Sequence, residues 1–167
     1  YNLARLHLRR SEYPQAVELL RQADKILPNT PDILLNLGTA LHEGQISMPE
    51  ARATYLAAVA AAPESPLAYN NLGNLSSGMG RHEEAVGYYE KALELDPEYF
   101  DTLYNYAGTL LELRRFTDAA AAYDRALKLS PCDLDVRNGL ITALSSSGNF
   151  AEAMGLAMET ADLYPDR

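Results

Sequence analysis

The sequence predicts an all-α protein, a solenoid of about five stacked helix pairs, and three observations carry that prediction. Five prolines, Pro28, Pro63, Pro97, Pro131 and Pro165, stand 35, 34, 34 and 34 residues apart, and self-similarity at a fixed period of this size marks a repeat architecture. Twelve residues before each proline stands an alanine: Ala16, Ala51, Ala85, Ala119 and Ala153. Apolar residues otherwise recur at i, i+3, i+4 and i+7, and no alternating apolar stretch bounded by turn residues argues for a strand.

Each unit in turn fits two amphipathic helices of about a dozen residues joined by a tight turn. Residues 1–30 carry Leu3, Ala16, Leu20 and Ala23 ahead of Pro28, with a first helix that starts about four residues late. Residues 31–65 place Leu37, Ala51, Tyr55 and Ala58 in the same register once one inserted residue is allowed, and it must fall between Leu41 and Ala51, where residues 44–49 read GQISMP. Residues 66–99 are the most regular. There the spacing predicts one helix from about Pro66 to Ser77 and a second from about His82 to Leu95, separated by Gly78 and Gly80 and stopped by Asp96 and Pro97. Residues 100–133 repeat the frame with Tyr106, Ala119, Tyr123 and Ala126. Residues 134–167 do so with Leu140 and Ala153, use Gly148 as the breaker, and depart from it at Ala157 and Thr160. Alanine suits these places because helices packed about 8–10 Å apart admit only a small side chain at the crossing. The tyrosines fill the gaps that remain, and because a lone pair cannot bury its apolar face, each must stack on the next.

The period, the Leu-Gly pairs Leu37-Gly38 and Leu72-Gly73, the fixed alanine, the aromatic residue four positions after it and the closing proline resemble the tetratricopeptide repeat. The resemblance covers the whole chain and implies a right-handed superhelix of paired helices. Departures gather toward the ends: Ala107 and Ile141 replace the glycine, Arg137 replaces a large apolar residue, and Ala157 and Thr160 erode the last helix. Such erosion is expected of a terminal, partly solvated unit.

Composition narrows the function. The 167 residues are 47% hydrophobic and 22% charged, as in a globular domain. No uninterrupted apolar run approaches the roughly 20 residues of a bilayer span, so membrane insertion is not expected. Fourteen basic against twenty-three acidic residues leave a formal charge of -9, which repels phosphate backbones and argues against a nucleic-acid partner. The charge is uneven, +2 over residues 1–30 and -11 over residues 31–167. The single Cys132 excludes an internal disulfide and a multi-cysteine zinc site. Compartment stays open.

The resemblance implies that the first helices of the pairs line a concave face that presents the ligand-binding residues. Twenty-six residues before each proline, with the same allowance in the second unit, stand Asn2, Asn36, Asn71, Asn105 and then Gly139. A primary amide donates and accepts at once, so a row of asparagines on successive helices can bracket the peptide bonds of an extended chain without reading its side chains. Alternatively, each asparagine bonds to a neighbouring helix and sets repeat geometry. A similar ladder occurs in the repeat region of O-GlcNAc transferases, although no catalytic glycosyltransferase domain is present in this chain. The positions flanking the ladder are Tyr1, Leu35, Asn70, Tyr104 and Asn138, with Arg5, Thr39, Asn74, Gly108 and Thr142 one turn on. Only Arg5 is basic, so the lysine and arginine clamp that some family members close on a terminal carboxylate is not expected. Asn36, Asn71 and Asn105, joined by Asn2, Asn70, Asn74 and Tyr104, form the candidate site for a neutral or basic protein segment, near Asp32, Asp101 and Asp135.

Enzymatic residues do not converge. His7, His42 and His82 fall in three units, and His82-Glu83-Glu84 lacks the second histidine a helical zinc site needs four residues on. Glu83, Glu84, Glu90 and Glu94 read as a solvated outer face, Cys132 as an inert thiol without a basic neighbour, and Asn74-Leu75-Ser76 as a chance glycosylation triplet inside a helix. The expected function is a non-catalytic scaffold without cofactor or metal, binding a protein or peptide segment. The alternatives are a subunit that assembles by stacking its end repeats on other copies, and the targeting arm of a larger enzyme.

Overall fold

In the computed structural model, which describes residues 1–164, the chain forms ten α-helices and no strand among those residues. They are α1 (Asn2–Arg9), α2 (Tyr13–Ile26), α3 (Pro31–Glu43), α4 (Met48–Ala61), α5 (Pro66–Gly78), α6 (His82–Leu95), α7 (Phe100–Glu112), α8 (Phe116–Leu129), α9 (Leu134–Ser146) and α10 (Phe150–Leu163). Pro165, the last member of the proline frame, lies outside the described residues. The expected first helix Pro66 to Ser77 gains Gly78, and the second runs from His82 to Leu95 as predicted. Gly78 is therefore helical, and the break falls on Gly80 alone, at φ 73°.

The same break recurs at Ser11, Gln45, Gly80, Arg114 and Gly148, each in the left-handed region between the two helices of a pair. In every pair the residue after it donates its N–H five residues back: Glu12 to His7, Ile46 to Leu41, Arg81 to Ser76, Arg115 to Leu110 and Asn149 to Leu144. These bonds close the helix ends in the manner of a Schellman turn. The inserted residue of the second unit lengthens this turn between α3 and α4, where Ser47 caps α4 by accepting from the Glu50 N–H at 3.4 Å.

All five alanines of the frame are buried, as are Ala58, Ala92 and Ala126 two turns later. Tyr55, Tyr89 and Leu20 are fully enclosed beside them. The core consequently runs along the array, from Ala4 to Leu75 in one part and from Val86 to Ala153 in another. Consecutive helices all pack on one another, and the backbones of α3, α5, α7 and α9 also approach closely in succession, more so than those of the even-numbered helices. The odd-numbered helices thus line the inner side of the curve, where a groove forms. On the outer side, Arg21 reaches both oxygens of Glu50 at 2.8 Å, and Arg52 reaches Glu84 at 2.7 Å, tying α2 to α4 and α4 to α6.

That second pair corrects the reading of a merely solvated glutamate face. Glu84 also accepts from Tyr88, and the Arg52 guanidinium holds its carboxyl below the usual range; Glu90 accepts from the Tyr106 hydroxyl at 3.1 Å, and Glu94 pairs with Lys91. Arg137 and Thr160 need a second correction, because they are partners. The Arg137 side chain is 8% exposed, donates to the Pro131 carbonyl at 2.9 Å and reaches the Thr160 hydroxyl at 3.4 Å. A long cation in the place of Leu103 is accommodated by a hydroxyl in the place of Ala126.

Candidate functional site

The inner groove is built on α3, α5, α7 and α9, whose midpoints carry Asn36, Asn71, Asn105 and Gly139. All three asparagines are half-buried, but their amides differ. Asn36 donates to the Asp32 carbonyl at 2.6 Å and to the Tyr1 hydroxyl at 2.9 Å, so its N–H groups are committed within the chain. The Asn71 and Asn105 amides have no hydrogen-bond partner among the described residues. Adjacent first helices thus offer two unclaimed donor and acceptor groups at the centre of the array.

The flanking residues separate into floor and wall. Asn70 is 4% exposed, and its Oδ1 accepts from Thr102 at 3.1 Å, which binds α5 to α7 and withdraws Asn70 from the expected ligand set. Leu35 is buried at the corresponding place in α3. The helical face turns enough that residues one position before the ladder enter the seam between first helices in the early pairs. Asn74 lines the groove, but its Oδ1 accepts from the Tyr89 hydroxyl at 2.8 Å. That bond and the buried Ser76 leave the glycosylation triplet inside packed structure. Asn2 is exposed beside Arg5, away from the central cleft. Tyr104 stands in the wall at 37% exposure, edge-on to Tyr123 with ring centroids 6.0 Å apart.

Between α5 and α7 these residues enclose an open cleft of about 370 Å³, lined by Asn74, Ser77, Tyr104, Asn105, Thr109, Glu112 and the rings of Tyr89 and Tyr123. Ser77 and Thr109 hydroxyls meet at 3.2 Å across its floor, and Thr109 donates to the Asn105 carbonyl. Burial pushes the Tyr89 and Tyr123 phenols up to about 12, so both remain neutral hydrogen-bonding groups. Sequence reasoning missed Ser77, Thr109, Glu112 and Tyr123. The available signal was Gly108, which offers no side chain where Thr39 and Asn74 stand in the preceding pairs.

The ladder ends at Gly139 for a packing reason. A Cβ at Gly38 would lie 2.5 Å from the Tyr55 ring, and one at Gly73 would lie 2.4 Å from the Tyr89 ring. In the next pair Ala107 supplies that methyl, and Tyr123 packs instead against Gly139, where a Cβ would come within 2.4 Å of its ring. The displaced tyrosine occupies the space an asparagine side chain would need.

The groove offers no cluster of three or more histidine, cysteine or carboxylate side chains placed to hold a metal among the described residues. No helix there is long and apolar enough to cross a membrane. Cys132 is an exposed free thiol whose carbonyl accepts from the Tyr164 hydroxyl.

Models described as tetratricopeptide repeat match residues 29–98, 70–133 and 104–167. The chain is 32% identical over 123 residues to the human Protein O-mannosyl-transferase TMTC3, across 73% of this chain and 13% of that protein. It is 30% identical over 160 residues to Anaphase-promoting complex subunit 6 of Arabidopsis thaliana, across 93% of this chain and 29% of that protein. It therefore spans less than a third of either relative. The crystal structure of MamA matches with a TM-score of 0.86 at 18% identity, across 100% of this chain and 99% of that one, a likeness of fold.

Proposed function

The chain belongs to the tetratricopeptide repeat family, and from that premise we propose that it is a non-catalytic scaffold whose inner groove binds an extended protein segment. The observation that carries this reading is the pair of amides at Asn71 and Asn105, unclaimed by any described residue and set on neighbouring helices of the groove. Each can pair with the C=O and N–H of a strand-like backbone, and helices about 10 Å apart match roughly three extended residues. Asn36 serves at the edge, through the carbonyl its two donor bonds leave free. In a longer protein the same groove would act as a targeting arm beside a catalytic unit.

The test is to select binders from an unbiased octapeptide library and titrate them against the wild type and the double variant Asn71→Ala with Asn105→Ala. The double variant should bind every selected peptide at least tenfold more weakly, each amide contributing about 1 kcal/mol, and melt within about 1 kcal/mol of wild type. Unchanged binding together with a much lower melting point would make the ladder structural and defeat the reading.

A separate observation favours homotypic stacking as a second reading. Helix α1 exposes Leu3 and Leu6 beside Arg5 and Arg9, and α10 exposes Phe150, Met154 and Met158 beside Glu152 and Glu159. Apolar faces with opposite charge complement one another head to tail. Sedimentation velocity across a wide concentration range tests it: species that grow with concentration and dissolve in salt support it, and a monomer throughout refutes it.

A further inference from the structure

The three tyrosines of the repeat frame differ in what their hydroxyls do. Tyr55 donates to Thr39 Oγ1 at 3.3 Å, and Tyr89 donates to Asn74 Oδ1 at 2.8 Å. Tyr123 is 5% exposed, yet its hydroxyl has no partner among the described residues, because Gly108 occupies the corresponding place. A Cβ built on Gly108 would sit 3.6 Å from that hydroxyl, so the missing partner is the side chain glycine lacks. The unpartnered group opens into the cleft between α5 and α7.

The other lining groups are equally one-sided. Glu112 is exposed and brings a carboxylate that forms no ion pair among the described residues, and neither lysine nor arginine lines the cleft. Tyr104 presents a half-open ring, and Asn105 its free amide. A carboxylate, a phenol oxygen able to accept and aromatic surface together select for a cation on an apolar stem.

We propose that this cleft is a specificity pocket for a lysine or arginine side chain of the bound segment, with its charged head on Glu112 and the Tyr123 hydroxyl and its stem against Tyr104. The proposal rests on the groove reading above and adds what that reading lacks, since backbone-bracketing amides hold a chain without choosing its residues. The ladder sets the direction of the segment, and the pocket sets its register.

The octapeptides selected above supply the probe. Binders should share a lysine or arginine at one fixed position, and replacing it by norleucine should weaken wild-type binding about tenfold, the effect of a hydrogen bond to a charged group. The Glu112→Gln variant should bind the basic peptide about tenfold more weakly, bind the norleucine peptide as the wild type does, and melt unchanged. Tyr123→Phe should cost the basic peptide a smaller factor. Arginine and lysine peptides titrated side by side identify which cation the pocket takes, and preference for either supports the proposal. Selected peptides without a fixed basic position, or a basic preference that survives Glu112→Gln, would overturn it. If those same peptides lose binding in the Asn71 and Asn105 double variant, the groove reading stands while the pocket falls. If the library yields no binder at all, both fall.

Discussion

Replacing Gly139 by asparagine would complete the amide row, and the structure predicts that it damages the protein instead. The new Cβ would come within 2.4 Å of Tyr123 Cζ and 2.6 Å of Cε1, separations no real Cβ tolerates. Tyr123 cannot retreat into its own pair, because the Ala107 methyl fills the space that Gly38 and Gly73 leave open for Tyr55 and Tyr89. Overpacking a closed core of this kind costs about 1–3 kcal/mol. Ala107→Gly reopens the original seat, so the double variant Gly139→Asn with Ala107→Gly should recover at least half of that loss. The two changes are therefore coupled, by about 1 kcal/mol or more. Urea unfolding of wild type, both single variants and the double, followed by helical circular dichroism, measures the cycle. Additive effects, or a Gly139→Asn variant within a few tenths of a kcal/mol of wild type, would refute the account of the displaced tyrosine.

Three further outcomes follow from the packing. Arg137→Leu with Thr160→Ala exchanges a buried cation and its hydroxyl partner for the residues of the neighbouring pair, and should stabilise the chain by about 1 kcal/mol in the same unfolding assay; a loss of that size would show the pair to be worth more than its burial costs. Burial pushes Tyr55, Tyr89, Tyr106 and Tyr123 up to about 12, while an unfolded chain releases those protons near pH 10. Stability should be whole below pH 10 and fall as pH rises toward 12, and melting that is flat across that interval would contradict the burial. Amide exchange should be slowest near Tyr89 and Ala92 and fastest at both ends, since coupling in an array is to nearest neighbours; equal protection at Met154 and Met158 in a monomeric sample would oppose it.

Most of the architecture was legible because repeat packing imposes the same demand at every period. An alanine at a helix crossing and a proline after a helix are local requirements, so Ala16 through Ala153 and Pro28 through Pro131 could be read from spacing alone. The asparagine row was legible for the same reason. What each asparagine does was not, because that depends on neighbours 15 to 35 residues away: Thr102 takes Asn70, Tyr89 takes Asn74 and Tyr1 takes Asn36. The pairing of Arg137 with Thr160 was hidden likewise, and each looked like erosion when read by itself.

Core packing and groove chemistry meet at the fourth pair. Alanine in place of glycine at 107 moves one tyrosine ring, and that ring abuts the helix of the next pair, where only glycine fits at 139. With glycine also at 108, the same tyrosine keeps a hydroxyl without a partner among the described residues, at the edge of the open cleft. A polar group left unpaired in a closed core would cost roughly 1–3 kcal/mol, but this hydroxyl opens toward the cleft, where solvent or a bound group can reach it. The amide row stops beside the place where the unsatisfied phenol and the Glu112 carboxylate begin. A groove that would otherwise repeat indefinitely thereby acquires a distinct position along its length, which is what a scaffold needs to bind a segment in one register and not slide along it.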